Sequence, residues 1–216
     1  MTSKTYSFRA IGALGGATAL WLAISALGDL ALAWASVVNL IMAPSLMERP
    51  LPEGAMALLV GANMMRLPTV LLHLGVHVIC AVWLYRASLN AHALAGGLTI
   101  SPAWAVGWYF VPVANLWKPY QAVAEIWRAS TVSEAWRTVA VPRMLLVWWI
   151  VWLVNRALEI FPPYIQALSG ATYPLTMTLL LNLVASLTGM VSCLMLMSIV
   201  QVITALQTCR DQAGVF

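Results

Sequence analysis

The chain has 216 residues, of which 62% are hydrophobic and only 8% charged, against roughly half and a quarter in soluble domains. A water-soluble core of this size cannot hide that much apolar surface, so a bilayer is the expected solvent and a sizeable soluble domain is excluded. The formal charge is +4, and its meaning lies in where the basic residues stand.

The first predicted span covers about residues 11–36, after Lys4 and Arg9. Its apolar run of roughly 25 residues exceeds the roughly 7–15 of a signal-peptide core, so it reads as a retained helix despite small residues near Ala35. Gly12 and Gly16, flanked by Ala13 and Ala17, form a GxxxG face suited to close packing inside the bundle. Residues 42–67 read as an outer connection. MAPSLMERPLPEG is turn-rich, and GAMALLVGANMMR is expected as a short helix lying along the membrane. The second span, about 68–85, starts at Pro68, carries His73 and His77, and is expected to end at Arg86.

Residues 86–142 link spans two and three. The stretch from Trp83 to Ser130 holds, between Arg86 and a basic helix, an apolar run broken by Pro102, Gly107, Pro112, Asn115 and Pro119, too short and too broken to cross a bilayer, which takes roughly 20 residues, and too apolar for a free loop. Trp104 and Trp108 stand one helical turn apart, with Trp117 and Tyr120 further on. Prolines bar a straight helix, and irregular backbone at membrane depth must be buried or wet. Two placements follow, an interfacial segment or a shallow re-entrant hairpin, and the interfacial one is preferred. Asn115 is expected to cap a helix starting near Lys118 and Pro119, with Glu125 near its first turns and Arg128 near its end. Thr131 and Glu134 have capping-box spacing for a short helix, SEAWRTVA. The third span, about 144–161, carries Trp148, Trp149, Trp152, Asn155, Arg156 and Glu159 and should break at Pro162–Pro163. The fourth covers about 174–205, with Asn182 and Gln201.

Four spans put both termini on one side. That side and the connection between spans two and three hold Lys4, Arg9, Arg86, Lys118, Arg128, Arg137, Arg143 and Arg210; the other holds Arg49, Arg66 and Arg156. This asymmetry places both termini in the cytoplasm. A fifth span over 103–117 would weaken it. The expected fold is therefore an all-α integral membrane protein, a four-transmembrane-helix bundle forming one membrane domain over 1–216.

At a rise of ~1.5 Å per residue, His73 and His77 fall ~8 and ~14 Å along span two, and Asn182 ~12 Å along span four. With Asp29, Asn155, Arg156 and Glu159 they form an expected polar cluster in the outer half of the bundle. Ionisable groups at such depth usually pair and face the interior, which predicts Arg156 bonded to Asp29 or Glu159. His73 and His77, at i and i+4, share a face that suits a metal or a haem edge. The plainer reading gives them hydrogen bonds to Asn155, Asn182 or a carbonyl. Met64 and Met65 are expected as filler rather than soft ligands. Cys80, Cys193 and Cys209 show no ligand spacing and no disulfide framework. No nucleophile–base set or phosphate loop is visible, and Ser101, Ser130 and Ser133 read as caps and turns. Trp127, Arg128, Trp136 and Arg137 pair aromatics with bases, which beside a membrane describes an anionic lipid surface rather than nucleic acid.

The blocks WLYRASLNAHAL, SPAWAVGWYFVPVANLWKPYQAVAEIWRAS, VWWIVWLV and QVITALQ resemble the bacterial multi-span membrane family known as domain of unknown function 4328, from about Met56 to Gln207. The positions that match are Arg86, Asn90, Pro102, Trp104, Gly107, Trp108, Pro112, Asn115, Trp117, Pro119 and Tyr120, with His73 and His77 outside them. The resemblance implies a bacterial membrane protein and brings no activity, ligand or catalytic residue. The expected function is non-enzymatic. A cytoplasmic motif of Arg86, Asn90, Trp104, Trp108, Asn115, Trp117, Lys118, Tyr120, Trp127 and Arg128 would engage lipid headgroups of the cytoplasmic (inner) membrane, a membrane protein partner or a second copy. No cofactor is expected; the alternative is a redox or transport protein holding haem, a metal or a small ligand at the polar cluster.

Overall fold

The structure, a computed structural model, describes residues 6–48, 53–132, 135–170 and 174–213. These are helical throughout: α1 (Gly12–Glu48), α2 (Glu53–Met64), α3 (Arg66–Leu94), α4 (Pro102–Gly107), α5 (Lys118–Thr131), α6 (Arg143–Ser169) and α7 (Leu175–Gln212), with 3₁₀ turns at Trp108–Phe110, Ala114–Leu116 and Trp136–Thr138. Four helical stretches are long and apolar enough to cross a membrane: Gly12–Ala43, Glu53–Leu94, Arg143–Ser169 and Leu175–Gln212.

Several elements differ from expectation, mostly by being longer. α3 does not end at Arg86 but continues to Leu94, because RASLNAHAL is rich in helix formers and buries Ala87, Ser88, Asn90 and Ala91. α6 does not break at Pro162–Pro163 but carries both prolines inside it. Proline's φ is itself helical, and neighbouring groups in an apolar bundle can take up the carbonyls it leaves unbonded. α1 runs to Glu48, beyond the expected end of its span. α2 is a short helix with Ala62 as its one buried residue: Asn63 Nδ2 donates to Asn39 Oδ1 at 3.1 Å, and Ala62 packs on Ala35 and Val38. Further along, Thr69 and Leu72 of α3 meet Gly28. The paired residue numbers fall on α1 as they rise along α2 and α3. α2 and α3 therefore form one antiparallel partner of α1, interrupted only at Met65.

SEAWRTVA forms no α-helix; its described part is a 3₁₀ turn at Trp136–Thr138. The capping box expected there rests on Glu134, which, like Ser133, lies outside the described residues, as do Lys4 and Arg49. Asn115 does not cap α5. Trp117 precedes the helix without a side-chain cap, and Pro119 occupies its first turn. Glu125 lies in the middle of α5, where its carboxylate accepts from the Thr99 amide at 3.0 Å, the Ile100 amide at 3.2 Å and the Thr99 hydroxyl. It ties down the connection between α3 and α4.

The chain divides into two compact units, one of residues 1–22, 76–149 and 195–216, the other of 23–75 and 150–194. In the first, α1 approaches α7 closely. A Cβ on Gly15 would run into the Thr204 side chain, whereas one on Gly16 would meet nothing. The tight contact is thus at Gly15, not at Gly16 of the expected GxxxG. The inward stripe at the start of α1 is Gly15, Thr18, Ala19 and Leu22, at the three-and-four spacing of a helix face. In the second unit Asn155 Nδ2 reaches across to the Ala185 carbonyl at 2.8 Å, binding α6 to α7.

Candidate functional site

The first unit centres on a knot of buried amides. Asn90 on α3 accepts from the Arg9 amide at 3.0 Å, donates to the Arg9 carbonyl at 2.9 Å and donates to Gln207 Oε1 at 3.1 Å. Gln207 on α7 donates to the Ala87 carbonyl at 3.0 Å and to Ser130 Oγ on α5 at 2.9 Å. Asn90, Ser130 and Gln207 are fully buried, where each unmade bond costs about 1–3 kcal/mol. Asn90 is therefore a structural tie rather than a surface contact, and Ser130 is no cap. Neither role was read from the sequence. The available signal was a glutamine in the apolar run QVITALQ.

α5 is packed, not lying free at an interface: Ala122, Val123, Ala124, Ile126 and Ala129 are buried. Arg128 Nε donates to the Val139 carbonyl at 3.0 Å, Arg137 to Gly97 at 2.7 Å and Arg210 to Thr131 at 2.6 Å. All three guanidiniums hold main-chain carbonyls. Among the described side chains the first unit has Arg9, Arg86, Lys118, Arg128, Arg137, Arg143 and Arg210 against Glu125 and Asp211. The second has Arg66 and Arg156 against Asp29, Glu53 and Glu159.

Residues 102–117 form the most irregular part of this unit. Trp104 and Trp108 stack at 4.4 Å, and Lys118 Nζ stands 5.8 Å over Trp108. Trp149 of α6 donates to the Leu116 carbonyl at 2.9 Å and meets the Tyr109 ring edge-on at 6.2 Å. Tyr109 is also within electrostatic reach of Cys80 on α3. Val113 has φ 68 and ψ −56, with the Ala114 amide on the Pro112 carbonyl at 2.8 Å: a rare γ-turn, strained for a β-branched residue. Around this turn Phe110, Val113, Leu116, Trp117 and Trp104 are exposed, Phe110 to 81%. Tyr120 and Trp127 are half-buried on α5.

The second unit holds the other candidate group. Asp29 on α1 is buried, and its Oδ1 lies 3.2 Å from His73 Nε2 of α3. The Cys193 thiol of α7 points at Oδ2 from 3.9 Å. A Cβ on Gly189 would stand 3.1 Å from that same oxygen. On α6, Arg156 bonds Glu159 at 2.9 Å and Asn155 Oδ1 at 2.7 Å. Asn182 enters through its carbonyl, which accepts the Ser186 hydroxyl. His77 is exposed one turn beyond His73, and among the described residues no three of His, Cys, Asp and Glu converge as a metal site.

Asp29, His73, Arg156 and Cys193 each lie within two residues of the midpoint of one of the four membrane-length stretches, while His73 and Asn182 stand seven residues from the starts of α3 and α7.

A family model described as a domain of unknown function (DUF4328) matches residues 53–205. Comparison with curated proteins and with solved structures gives no match.

Proposed function

The chain belongs to the family of the domain of unknown function DUF4328, and on that footing we propose that it is a four-span protein of the bacterial cytoplasmic membrane that binds anionic phospholipid. Residues 102–117 dip into the inner leaflet as a re-entrant wedge, and both termini lie in the cytoplasm. The observation that carries this reading is the seat of the wedge. Trp149, which holds the Leu116 carbonyl, is six residues beyond Arg143, so this contact lies about 9 Å inside that helical cation. A segment resting among headgroups would meet α6 nearer Arg143. Phe110, Val113 and Leu116 are apolar and exposed at that depth, which suits acyl chains.

The exposed apolar residues support the same boundaries. On α3 they run from Leu67 to Tyr85, and on α6 from Leu146 to Leu168, about 27 and 33 Å of helix, close to a bilayer's hydrocarbon thickness of about 30 Å. Lys118, held over Trp108 beside the wedge, is the cation we assign to the lipid phosphate, with Arg143 as its neighbour in the positive field. Juxtamembrane cations contribute about 1 kcal/mol each toward an anionic leaflet. The role is binding, with no catalytic step.

A spin label at Phe110→Cys, with Cys80, Cys193 and Cys209 replaced, tests the wedge. In nanodiscs it should collide with oxygen and be shielded from a polar nickel chelate; a fully wet label refutes insertion. Lipid binding is read by native mass spectrometry from phosphatidylglycerol-containing nanodiscs. Lys118→Ala should lower retained anionic lipid about fivefold, and unchanged retention would sink the lipid assignment.

A further inference from the structure

We infer that Arg9 and Arg86 form a second phosphate-binding site, at the cytoplasmic boundary of the membrane, that takes the headgroup phosphate of an anionic phospholipid. This rests on the membrane reading above but not on the wedge or on Lys118. The way the two arginines are held carries it. Asn90 fixes the main chain of Arg9 in both directions, accepting from its N–H at 3.0 Å and donating to its carbonyl at 2.9 Å. Asn90 is itself fixed by Gln207. Arg86 stands four residues before Asn90 on α3, one turn or about 6 Å along the helix and on the same side of it. The segment leading into α1 follows that side of the bundle. Tyr6 meets the His92 ring at 4.9 Å, Arg9 meets Asn90, and Thr204 touches both Gly15 and Trp83. The chain therefore passes the level of Arg86 on its way from Arg9 to Gly15.

Neither guanidinium has a hydrogen bond or ion pair with a described residue, although Arg86 is half-buried. The other arginines of this unit differ: Arg128, Arg137 and Arg210 each hold a carbonyl. The carboxylates nearby do not serve either. Glu125 is engaged by Thr99 and Ile100, and Asp211 pairs with no described cation. Two like charges about one turn apart repel each other, and an anion between them reverses the sign of that interaction.

The chemistry selects the ligand. Guanidinium forks match phosphate oxygens in pairs, and two forks from different elements suit a group with several oxygens. The apolar surface beside Arg86 selects the source. Val78 and Val82 are exposed eight and four residues before it, with Tyr85 alongside, so one helix stripe leads to the guanidinium. An acyl chain on that stripe delivers its headgroup to Arg86, whereas a soluble phosphate has no use for it. A zwitterionic headgroup brings its own ammonium, which finds no carboxylate here.

The test is native mass spectrometry from phosphatidylglycerol-containing nanodiscs, in the Lys118→Ala background so that the wedge site does not contribute. Co-elution with the nanodisc checks the membrane reading first. Arg9→Gln and Arg86→Gln preserve the main-chain clamp, and each should lower retained phosphatidylglycerol about fivefold. The double variant should fall short of the product of the singles, because both side chains hold one phosphate. Arg86→Lys, which keeps the charge and loses the fork, should fall between parent and Arg86→Gln. Arg66→Gln, at the far end of α3 and likewise without a described partner, should change nothing. An equal loss in Arg66→Gln, a double effect equal to the product, or full retention in Arg86→Lys each overturns the site. Excess inorganic phosphate should leave lipid retention unchanged; displacement of the lipid would give the site to a soluble phosphate instead. Unchanged retention in Lys118→Ala alone sinks the wedge assignment and leaves this site standing. Unchanged retention in Arg9→Gln and Arg86→Gln does the opposite.

Discussion

At Gly15 a hydrogen fills the space that a methyl group would need, because Thr204 of α7 lies against it and also accepts the Trp83 indole N–H at 3.1 Å. Gly15→Ala should therefore push α1 from α7 and weaken that bond. The expected loss is about 1–3 kcal/mol, read from thermal unfolding in detergent. Gly16→Ala, whose Cβ meets nothing, should stay within about 0.5 kcal/mol of the parent. Gln207 is the other residue on which much depends, since one side chain satisfies α3, α5 and the Asn90 clamp. Gln207→Leu removes one of the two acceptors of Asn90 Nδ2 and the bond to the buried Ser130 hydroxyl and should cost about 1–3 kcal/mol, with the N-terminal segment loosened at Arg9. Neither residue stood out in the sequence. A glycine's closeness to a partner depends on which face the partner presents, and a glutamine's bonds depend on helices 77–120 positions away.

Among the elements, the existence and type of the four long helices were legible from apolar run length, but their ends were not. Run length reports how far a helix suits lipid. It says little about a helix continuing past the lipid into protein, as α3 does beyond Arg86 and α7 beyond Ala205 to Gln212. Proline stop signals failed in α6 for a related reason: the rule is written for helices whose freed carbonyls can go to water. The connection between α3 and α4 is held by Glu125 rather than by its own turn residues. Glu125→Ala should thus raise hydrogen exchange at the Thr99 and Ile100 amides about tenfold or more, the equivalent of losing a charge-assisted bond of about 1.5–3 kcal/mol. Exchange across the rest of α5 should change little, since Ala122, Val123, Ile126 and Ala129 keep it packed.

For the whole molecule, the separation of charge between the two compact units bears on orientation. Under the positive-inside rule, the topology we propose has the described chain ends in the cytoplasm. With Cys80 and Cys193 replaced, the exposed Cys209 near the end of α7 should react with a membrane-impermeant thiol reagent in inside-out vesicles and not in intact spheroplasts. The reverse pattern would invert the proposed topology. Composition and run length by themselves determined the all-helical class and the number of membrane-length stretches, and the block from Trp83 to Ser130 carried the family. These are properties of contiguous residues, because a bilayer selects segments one helix at a time. The tertiary structure alone decided that Asn90 is a buried clamp, that Trp149 holds the Leu116 carbonyl, and that Asp29 meets His73. Each of these joins residues far apart in the chain through the register of packed helices, and a single residue of slip, about 100° around a helix, would turn every one of those side chains to another face.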